Sequence, residues 1–245
     1  MRKTVLFTTA ILFIIGIGSS VFAEDSAYDV EGWKKRFASP TYGVTATPIT
    51  LEYSNSEGED ETEEIVVPGF DFRIFNGMNV NKRGGFYTGY EVGATFYVMG
   101  KGDDTYEVDN PEFTKGARIE DFMCGMVFLL SKYGYRLDLG TKSGGFSIGV
   151  SAGIGAVMGG GGLTIKDVDN GSDDTWASES PDSDALFGPM IEAGIEGAFR
   201  FGQNFRLVGV LGAAASPPME WDSNVIEGEM SPVRPHLRLG FSQNY

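Results

Sequence analysis

Apolar and polar residues alternate with a period of two along most of the chain after residue 40. Between residues 86 and 98, for example, Phe86, Tyr90 and Phe96 share one set of alternate positions, and Glu91 stands on the other set. Such alternation is typical of β-strands, whose successive side chains point to opposite faces of a sheet. The pattern predicts eight strands, over residues 41–53, 65–76, 86–100, 118–139, 145–162, 185–201, 204–218 and 231–245.

Two of these segments are irregular. The first changes phase at Pro48, which predicts a bulge or a kink there. The fourth contains an unbroken apolar run from Met126 to Leu130, so a buried helix over residues 118–131 is the alternative to a strand. If this segment keeps its strand phase, apolar side chains line the loop-side interior at Met99, Met126, Phe128 and Leu130.

The connections alternate between short and long. Three joins are short, at 77–85, 140–144 and 202–203, whereas 54–64, 101–117, 163–184 and 219–230 are long and hold 22 acidic but only three basic residues. Apolar-face aromatic residues gather beside the short joins, at Tyr135, Phe86, Phe146, Phe199, Phe201, Phe205 and Tyr245. Short turns, long loops and an aromatic girdle are typical of a membrane β-barrel. A soluble periplasmic β-sandwich has the same alternation and is the competing fold.

The predicted fold is all-β: an eight-stranded antiparallel up-and-down transmembrane β-barrel with short periplasmic turns and long acidic extracellular loops. A sheet in lipid must close on itself, because its backbone groups find no water there. Eight strands leave an interior that side chains fill. We expect an inward network of ion pairs instead of an open pore, formed by Asp71, Arg73, Glu91, Arg136, Asp138, Glu192, Glu196, Arg200 and Arg238.

The first 23 residues have the form of a secretory signal peptide. Arg2 and Lys3 precede an apolar stretch, and small residues lead to a predicted cleavage site after Ala23. The apolar stretch is shorter than the ~20 residues that a membrane-spanning helix needs. The predicted organisation is therefore a signal peptide at 1–23, a periplasmic N-terminal segment at 24–40 and the barrel at 41–245.

Composition removes several classes of function. The 245 residues include 34 acidic and 19 basic side chains, and this net charge of −15 argues against a nucleic-acid partner. The single cysteine, Cys124, excludes an internal disulfide. The single histidine, His236, is predicted to point inward, which disfavours a barrel enzyme that acts on lipid. The sequence predicts neither enzymatic activity nor a cofactor.

Two acidic segments are candidate ligand sites. Asp167, Asp169 and Asp173 place carboxylates at the alternate spacing that suits Ca²⁺, although Gly171 departs from the EF-hand pattern. The alternative is a solvated acidic loop. The run from Glu57 to Glu64 is expected to be a surface loop, with divalent cations or a basic extracellular ligand as its candidate partners.

Residues 41–245 resemble the small outer-membrane β-barrels of diderm bacteria, of the OmpA-barrel, OmpX and OmpW type. The resemblance rests on the signal peptide, the eight alternating segments, the rhythm of turns and loops, and the chain ending. That ending is similar to the signal read by the barrel-assembly machinery, which implies this role for Leu237, Leu239, Phe241 and Tyr245, whereas Gln243 departs from the pattern. The resemblance implies a monomer in contact with outer-membrane lipid.

The leading functional expectation is a structural barrel that displays acidic loops at the cell surface, for envelope integrity, adhesion or ligand contact. The alternative is an OmpW-like channel for small apolar molecules. A barrel enzyme that acts on lipid is the third possibility.

Overall fold

The computed structural model describes residues 36–55, 57–80, 85–100, 106, 116–141, 144–167, 178–179, 182–183, 186–201, 205–222 and 226–244. Twelve antiparallel strands make up a single sheet. They are β1 (Arg36–Ser54), β2 (Asp60–Asn79), β3 (Phe86–Met99), β4 (Ala117–Thr141), β5 (Gly144–Asp167), β6 (Ser178–Glu179), β7 (Asp182–Ser183), β8 (Leu186–Phe201), β9 (Phe205–Ala215), β10 (Met219–Asp222), β11 (Glu227–Met230) and β12 (Val233–Asn244). No helix in this part of the chain is long and apolar enough to cross a membrane.

Eight long strands close into a ring, in the order β1, β2, β3, β4, β5, β8, β9 and β12, with β12 paired to β1. They match the eight predicted segments to within a few residues, although β1 begins at Arg36, inside the predicted segment 24–40. The short connections after β2, β4 and β8 define the turn end of the barrel, and the opposite end is the loop end. The prediction of an eight-stranded antiparallel barrel is confirmed.

Four short strands lie in stretches that the sequence predicts as loops. The strands β11 and β10 continue the wall beside β1, with Ile49 opposite Met230 and Met219 opposite Met230. The strand β7 pairs with β10, and β6 pairs with β5. Together with residues 49–65 of β1 and β2, the strands β10 and β11 form what we call the extension, a part of the wall beyond the apolar outer band.

The expected irregularity at Pro48 is wrong. The pairing of β1 with β2 runs without a shift from Arg36 opposite Met78 to Ser54 opposite Asp60. What changes at Pro48 is the environment, because inward residues are polar before it, as at Thr47, and apolar after it, as at Ile49. Pro48, which lacks an N–H, stands where β1 passes from pairing with β12 to pairing with β11.

The apolar run of the fourth segment belongs to a strand throughout, and the alternative helix over 118–131 is excluded. A bulge lies between Ile119 and Asp121, and the pairing with β3 and β5 is regular beyond it. Leu130 is buried in the interior, whereas its neighbour Leu129 is 53% exposed on the outside. Both faces are apolar here because one faces the interior core and the other faces outward.

The outer surface of the ring is a continuous apolar band. Large apolar side chains on every ring strand are exposed, among them Tyr42, Phe70, Tyr90, Leu129, Ile154, Ile195, Leu211 and Leu239. Six of the seven aromatic residues predicted beside the turns, all except the undescribed Tyr245, are also exposed, and Phe86 packs edge-on against Tyr135 with ring centroids 4.8 Å apart. Such a surface is stable in lipid and not in water. The barrel therefore has the outer face of an outer-membrane protein, as predicted.

Candidate functional site: the filled interior

The middle of the barrel holds a compact set of buried charges, which we call the ion layer. Its six members come from five strands of the wall and all point inward: Asp71, Arg73, Glu91, Lys132, Glu192 and Arg238. They alternate in sign as acids and bases around the lumen, three of each. Strand alternation explains their orientation, because each of them occupies an inward position in its strand, beside residues whose apolar side chains point outward.

Two arginines join the acids across the lumen. The Arg73 guanidinium donates to Asp71 Oδ2 at 2.9 Å and to Glu91 Oε1 at 3.0 Å, and it also contacts Glu192. Arg238 donates from Nη1 to Glu91 Oε1 at 3.2 Å and from Nη2 to Glu192 Oε1 at 2.8 Å. A buried charge is tolerated only when it is paired and hydrogen-bonded, so the layer is stable as a unit and not as separate pairs.

Lys132 is the member that the sequence analysis missed. Its Nζ donates to Glu91 Oε2 at 3.0 Å and lies 3.6 Å from Glu196 Oε1. Arg136 Nη2 lies 3.2 Å from Glu196 Oε2, and this ion pair extends the network towards the turn end. The signal for Lys132 was its inward phase in the fourth segment, which the apolar run around Leu130 obscured.

For two of the nine predicted network residues, Arg200 and Asp138, a place in the network stays a prediction. Arg200 is half-buried at the turn end. The side chain of Asp138 falls outside the described part of the chain, although its backbone pairs with Ser147 in the wall. Of the other seven predicted residues, five belong to the ion layer, and Arg136 and Glu196 form the ion pair beside it.

The predicted calcium site also lies outside the described residues. Asp169 and Asp173 are not described, and only the backbone of Asp167 is, at the end of β5. Within the described ranges, no group of three or more His, Cys, Asp or Glu side chains is placed to hold a metal ion. The signal peptide and Tyr245 likewise fall outside these ranges, and their roles stay predictions.

His236 is buried inside the barrel, as its phase predicts. Its Nε2 lies 3.9 Å from Glu192 Oε1, beside the ion layer and away from the outer apolar band. Cys124 is buried in the wall of the loop end, where its Sγ lies 3.8 Å from the Met219 Sδ.

Towards the loop end the interior is apolar and forms what we call the extension core. Trp221 of β10 packs edge-on against Phe122 of β4 with ring centroids 5.2 Å apart, and both are buried. The predicted lining residues Met126, Phe128 and Leu130 belong to this core, and Met99 packs against it. Its other members include Ile49, Leu51, Val67, Ile119, Leu163, Ile165, Met190, Met219, Ile226 and Met230.

Towards the turn end the interior closes with an aromatic cluster of Phe37, Phe75 and Tyr87, all buried. The Arg136 guanidinium carbon lies 5.0 Å from the centre of the Tyr87 ring. Two cavities between these layers measure only about 10 Å³ and 20 Å³, which is room for roughly one water molecule each. In the described part of the barrel, side chains therefore fill the lumen in three layers.

The strand β12 closes the ring. Leu237, Leu239 and Phe241 all point outward from it into the apolar band. The backbone of β12 pairs with β9 on one side and with β1 on the other. Recognition of this strand by the assembly machinery stays a prediction.

No protein-family model and no curated protein sequence matches the chain. Solved structures do. The outer membrane protein OprG from Pseudomonas aeruginosa is 12% identical, with 89% of this chain and 99% of that chain covered, at a TM-score of 0.47. Neisserial surface protein A is 16% identical, with 83% of this chain and 97% of that chain covered, at a TM-score of 0.35. A third similar structure is that of Ail, the attachment invasion locus protein of Yersinia pestis, in complex with the heparin analogue sucrose octasulfate. It is 13% identical, with 85% of this chain and 99% of that chain covered, at a TM-score of 0.38.

At these identities the similarity concerns the fold alone. The assignment of class rests on the closed eight-strand ring and its apolar outer band. The chain is a small β-barrel of the outer-membrane type, with a closed eight-strand ring and an apolar face turned towards lipid.

Proposed function

We propose that this protein is a closed, non-conducting barrel that anchors its extension at the cell surface, in a structural or ligand-contact role. The observation that carries the proposal is the filled lumen, with the extension core, the ion layer and the aromatic cluster stacked along it. A permanent aqueous path needs an unfilled interior, and an eight-stranded barrel has little room to spare.

The outward face of the extension supports the ligand-contact part. Glu52 stands directly opposite Glu227, and Glu220 stands directly opposite Glu229, on exposed positions of neighbouring strands. Like charges in directly opposed positions destabilise a sheet. A cationic partner, either a divalent ion or a basic extracellular ligand, would relieve this repulsion.

The position of His236 supports a role without catalysis. Its imidazole is enclosed by the barrel and cannot reach a lipid on the outer band. A nucleophile for lipid chemistry would need its base on that outer face.

The second candidate is a channel for small apolar molecules, similar to the OmpW type. The apolar extension core, with Met126 and Phe128, is the observation that favours it. The ion layer beneath that core opposes it, because an apolar solute would have to displace paired charges such as Arg238 and Glu192.

Reconstitution in liposomes separates the two candidates. The mature chain is refolded into phospholipid vesicles, and swelling in a small sugar is measured beside uptake of an apolar dye. A closed barrel leaves both rates equal to those of protein-free vesicles, with a large general porin as the positive control. Swelling or dye uptake above that background would overturn the proposal.

Surface display has its own test. An epitope inserted at Gly58, in the hairpin between β1 and β2, is expected to bind antibody on intact cells. The matched control carries the same epitope at Lys142, between β4 and β5, and is expected to bind only after the outer membrane is permeabilised. Equal labelling of both sites on intact cells would contradict the proposed orientation.

A further inference from the structure

One of the two interior cavities lies between the ion layer and the extension core. It measures about 10 Å³. Asp71 and Arg73 of the ion layer line it on one side, and Met126, Phe128 and Met190 of the extension core line it on the other. Both layers are buried, so the barrel wall and its filling enclose whatever occupies this cavity.

Arg234 of β12 also lines this cavity, and it is only 4% exposed. Its guanidinium donates from Nη1 to the Ser231 carbonyl oxygen at 3.2 Å and from Nη2 to Ser216 Oγ. These bonds use two of the five N–H donors that an arginine carries. Within the described part of the chain, no carboxylate forms an ion pair with Arg234.

The neighbouring charges balance without Arg234. The ion layer and the pair beside it hold four carboxylates and four cations, namely Asp71, Glu91, Glu192 and Glu196 with Arg73, Lys132, Arg136 and Arg238. Arg234 adds a further buried cation to this balanced set, on the same strand as Arg238. A buried charge is strongly unfavourable unless a counter-charge accompanies it.

The hydroxyl groups of the lining already donate to other acceptors. Thr95 donates to Asp71 Oδ1 at 3.2 Å, and Thr45 donates to the Pro235 carbonyl oxygen at 2.7 Å. The Tyr97 hydroxyl lies 3.3 Å from Thr45 Oγ1, and Tyr97 is the donor because the single hydroxyl hydrogen of Thr45 is already used. None of these three hydroxyl groups has a hydrogen left for an occupant of the cavity.

His236 lines the same cavity, and its ring has hydrogen-bonding capacity to spare. Its buried Nε2 has no hydrogen-bond partner in the part of the chain that the structure describes. The carboxylate of Glu192 lies 3.9 Å from this nitrogen, but Arg73 and Arg238 already neutralise it. The unused donor groups around the cavity therefore belong to His236 and Arg234.

The size and charge of the cavity limit what can occupy it. A water molecule would satisfy unused N–H groups but would leave the charge of Arg234 uncompensated. An anion satisfies both requirements. Because the cavity has room for roughly one water molecule, a monatomic anion fits it, whereas a phosphate or a sugar acid does not.

We propose that this cavity binds one small inorganic anion, such as chloride, between the Arg234 guanidinium and the His236 imidazole. The ion is enclosed between the ion layer and the extension core as the ring closes. It supplies the missing counter-charge and thereby stabilises the folded barrel. The inference is independent of the surface role proposed above, because it concerns the interior alone.

Refolding with and without chloride tests the proposal on the mature chain in vesicles of zwitterionic phospholipid. Gluconate, which is too large for the cavity, replaces chloride at the same ionic strength, and the gel shift of unboiled samples follows unfolding in urea. As chloride saturates the site, we expect unfolding to become slower on the order of tenfold, equivalent to about 1.4 kcal/mol. Equal unfolding rates in the two salts would overturn the proposal.

Three variants locate the effect. Arg234→Gln removes the cation and should abolish the difference between the two salts. Ala214→Val keeps that cation but fills part of the cavity, which Ala214 lines, and should weaken the difference. Lys166→Gln, on an outward position of β5, is the matched control, because it also removes one positive charge and should keep the full difference.

The gel shift verifies that each variant is a folded barrel. An undiminished chloride effect in folded Arg234→Gln or Ala214→Val, or its loss in Lys166→Gln, would contradict binding in this cavity.

Bromide gives a direct readout on the unmodified protein, so the test does not depend on the folding of any variant. Crystals of the refolded barrel, prepared with bromide in place of chloride, are expected to show anomalous scattering in the cavity beside Arg234 and His236. A water molecule in the cavity, with anomalous scattering confined to the surface, would overturn the proposal.

Discussion

Arg73 on β2 and Glu192 on β8 contact each other across the full width of the barrel, although they lie 119 positions apart in the chain. The two strands lie four places apart in a ring of eight, so they are diametrically opposed. Arg238 reinforces the connection by bridging Glu192 and Glu91. The ion layer therefore ties opposite walls together as well as filling the lumen.

Removal of Glu192 should destabilise the whole barrel. Glu192→Gln leaves three buried cations, Arg73, Lys132 and Arg238, with too few carboxylates. Loss of one partner from a buried ionic group costs about 3–5 kcal/mol. Urea unfolding in vesicles, followed by the gel shift of unboiled samples, measures the change. The exposed Glu227→Gln serves as control, and an equal effect of the two variants would contradict the role of the ion layer.

An arginine at the outer face should oppose membrane insertion. Leu129 lies exposed near the middle of the apolar band of β4. Leu129→Arg is expected to cost about 2–4 kcal/mol in a bilayer, because the charge would stand in hydrocarbon. The matched variant Thr50→Arg, on an outward position of the extension, should cost little. Folding free energies in vesicles compare the two, and a neutral Leu129→Arg would argue against a lipid-facing band.

The extension core should be separable from the membrane part. Trp221 is 1% exposed and packs on Phe122, so Trp221→Ala leaves a cavity that costs about 3–5 kcal/mol. We expect faster amide exchange over β10 and β11, while the barrel keeps its gel shift. Phe187→Ala, at a position 79% exposed on the outer band, is the control and should leave exchange in β10 and β11 unchanged. Simultaneous unfolding of both parts would show that they form one cooperative unit.

The hairpin of the extension should weaken at high pH. Partial burial, together with the hydrogen bond that Tyr53 donates to Glu61 at 3.0 Å, raises the pKa of Tyr53 from 10.0 to about 12. The folded hairpin thus holds the phenol proton more tightly than the unfolded chain. Its contribution to stability is complete below pH 10 and is lost as the pH rises from about 10 to about 12.

Tyr53→Phe tests this dependence. Urea midpoints of the wild type should fall more steeply than those of the variant between pH 10 and pH 12. Glu61→Gln should reduce the difference only in part, because burial is the larger cause of the raised pKa. Parallel curves for the wild type and Tyr53→Phe would exclude Tyr53 as the titrating group.

The sequence placed most of the ion layer on the correct face. Asp71, Arg73 and Glu91 each stand between outward apolar residues, so alternation alone orients them. It could not pair them, because partners such as Arg73 and Glu192 meet only when the ring closes. Lys132 escaped notice because its strand is apolar on both faces near Leu130.

The irregularity expected at Pro48 shows a different limit. Where the apolar positions of a strand move from its outward face to its inward face, the hydrophobic pattern of the sequence changes phase, just as it does at a bulge. In the structure the backbone stays regular, and the surroundings change from lipid to water on the outside and from ion pairs to an apolar core on the inside. Hydrophobic periodicity reports the difference between two faces and not which face is inside.

By itself, the sequence determined the eight wall strands, their inward and outward residues, and the alternation of turns with long connections, because each depends on local periodicity. Only the tertiary structure decided which charges meet, and that β10 and β11 build an apolar-filled extension above the membrane. Those features depend on ring closure, which brings residues more than a hundred positions apart into contact, and no local pattern encodes such a distance.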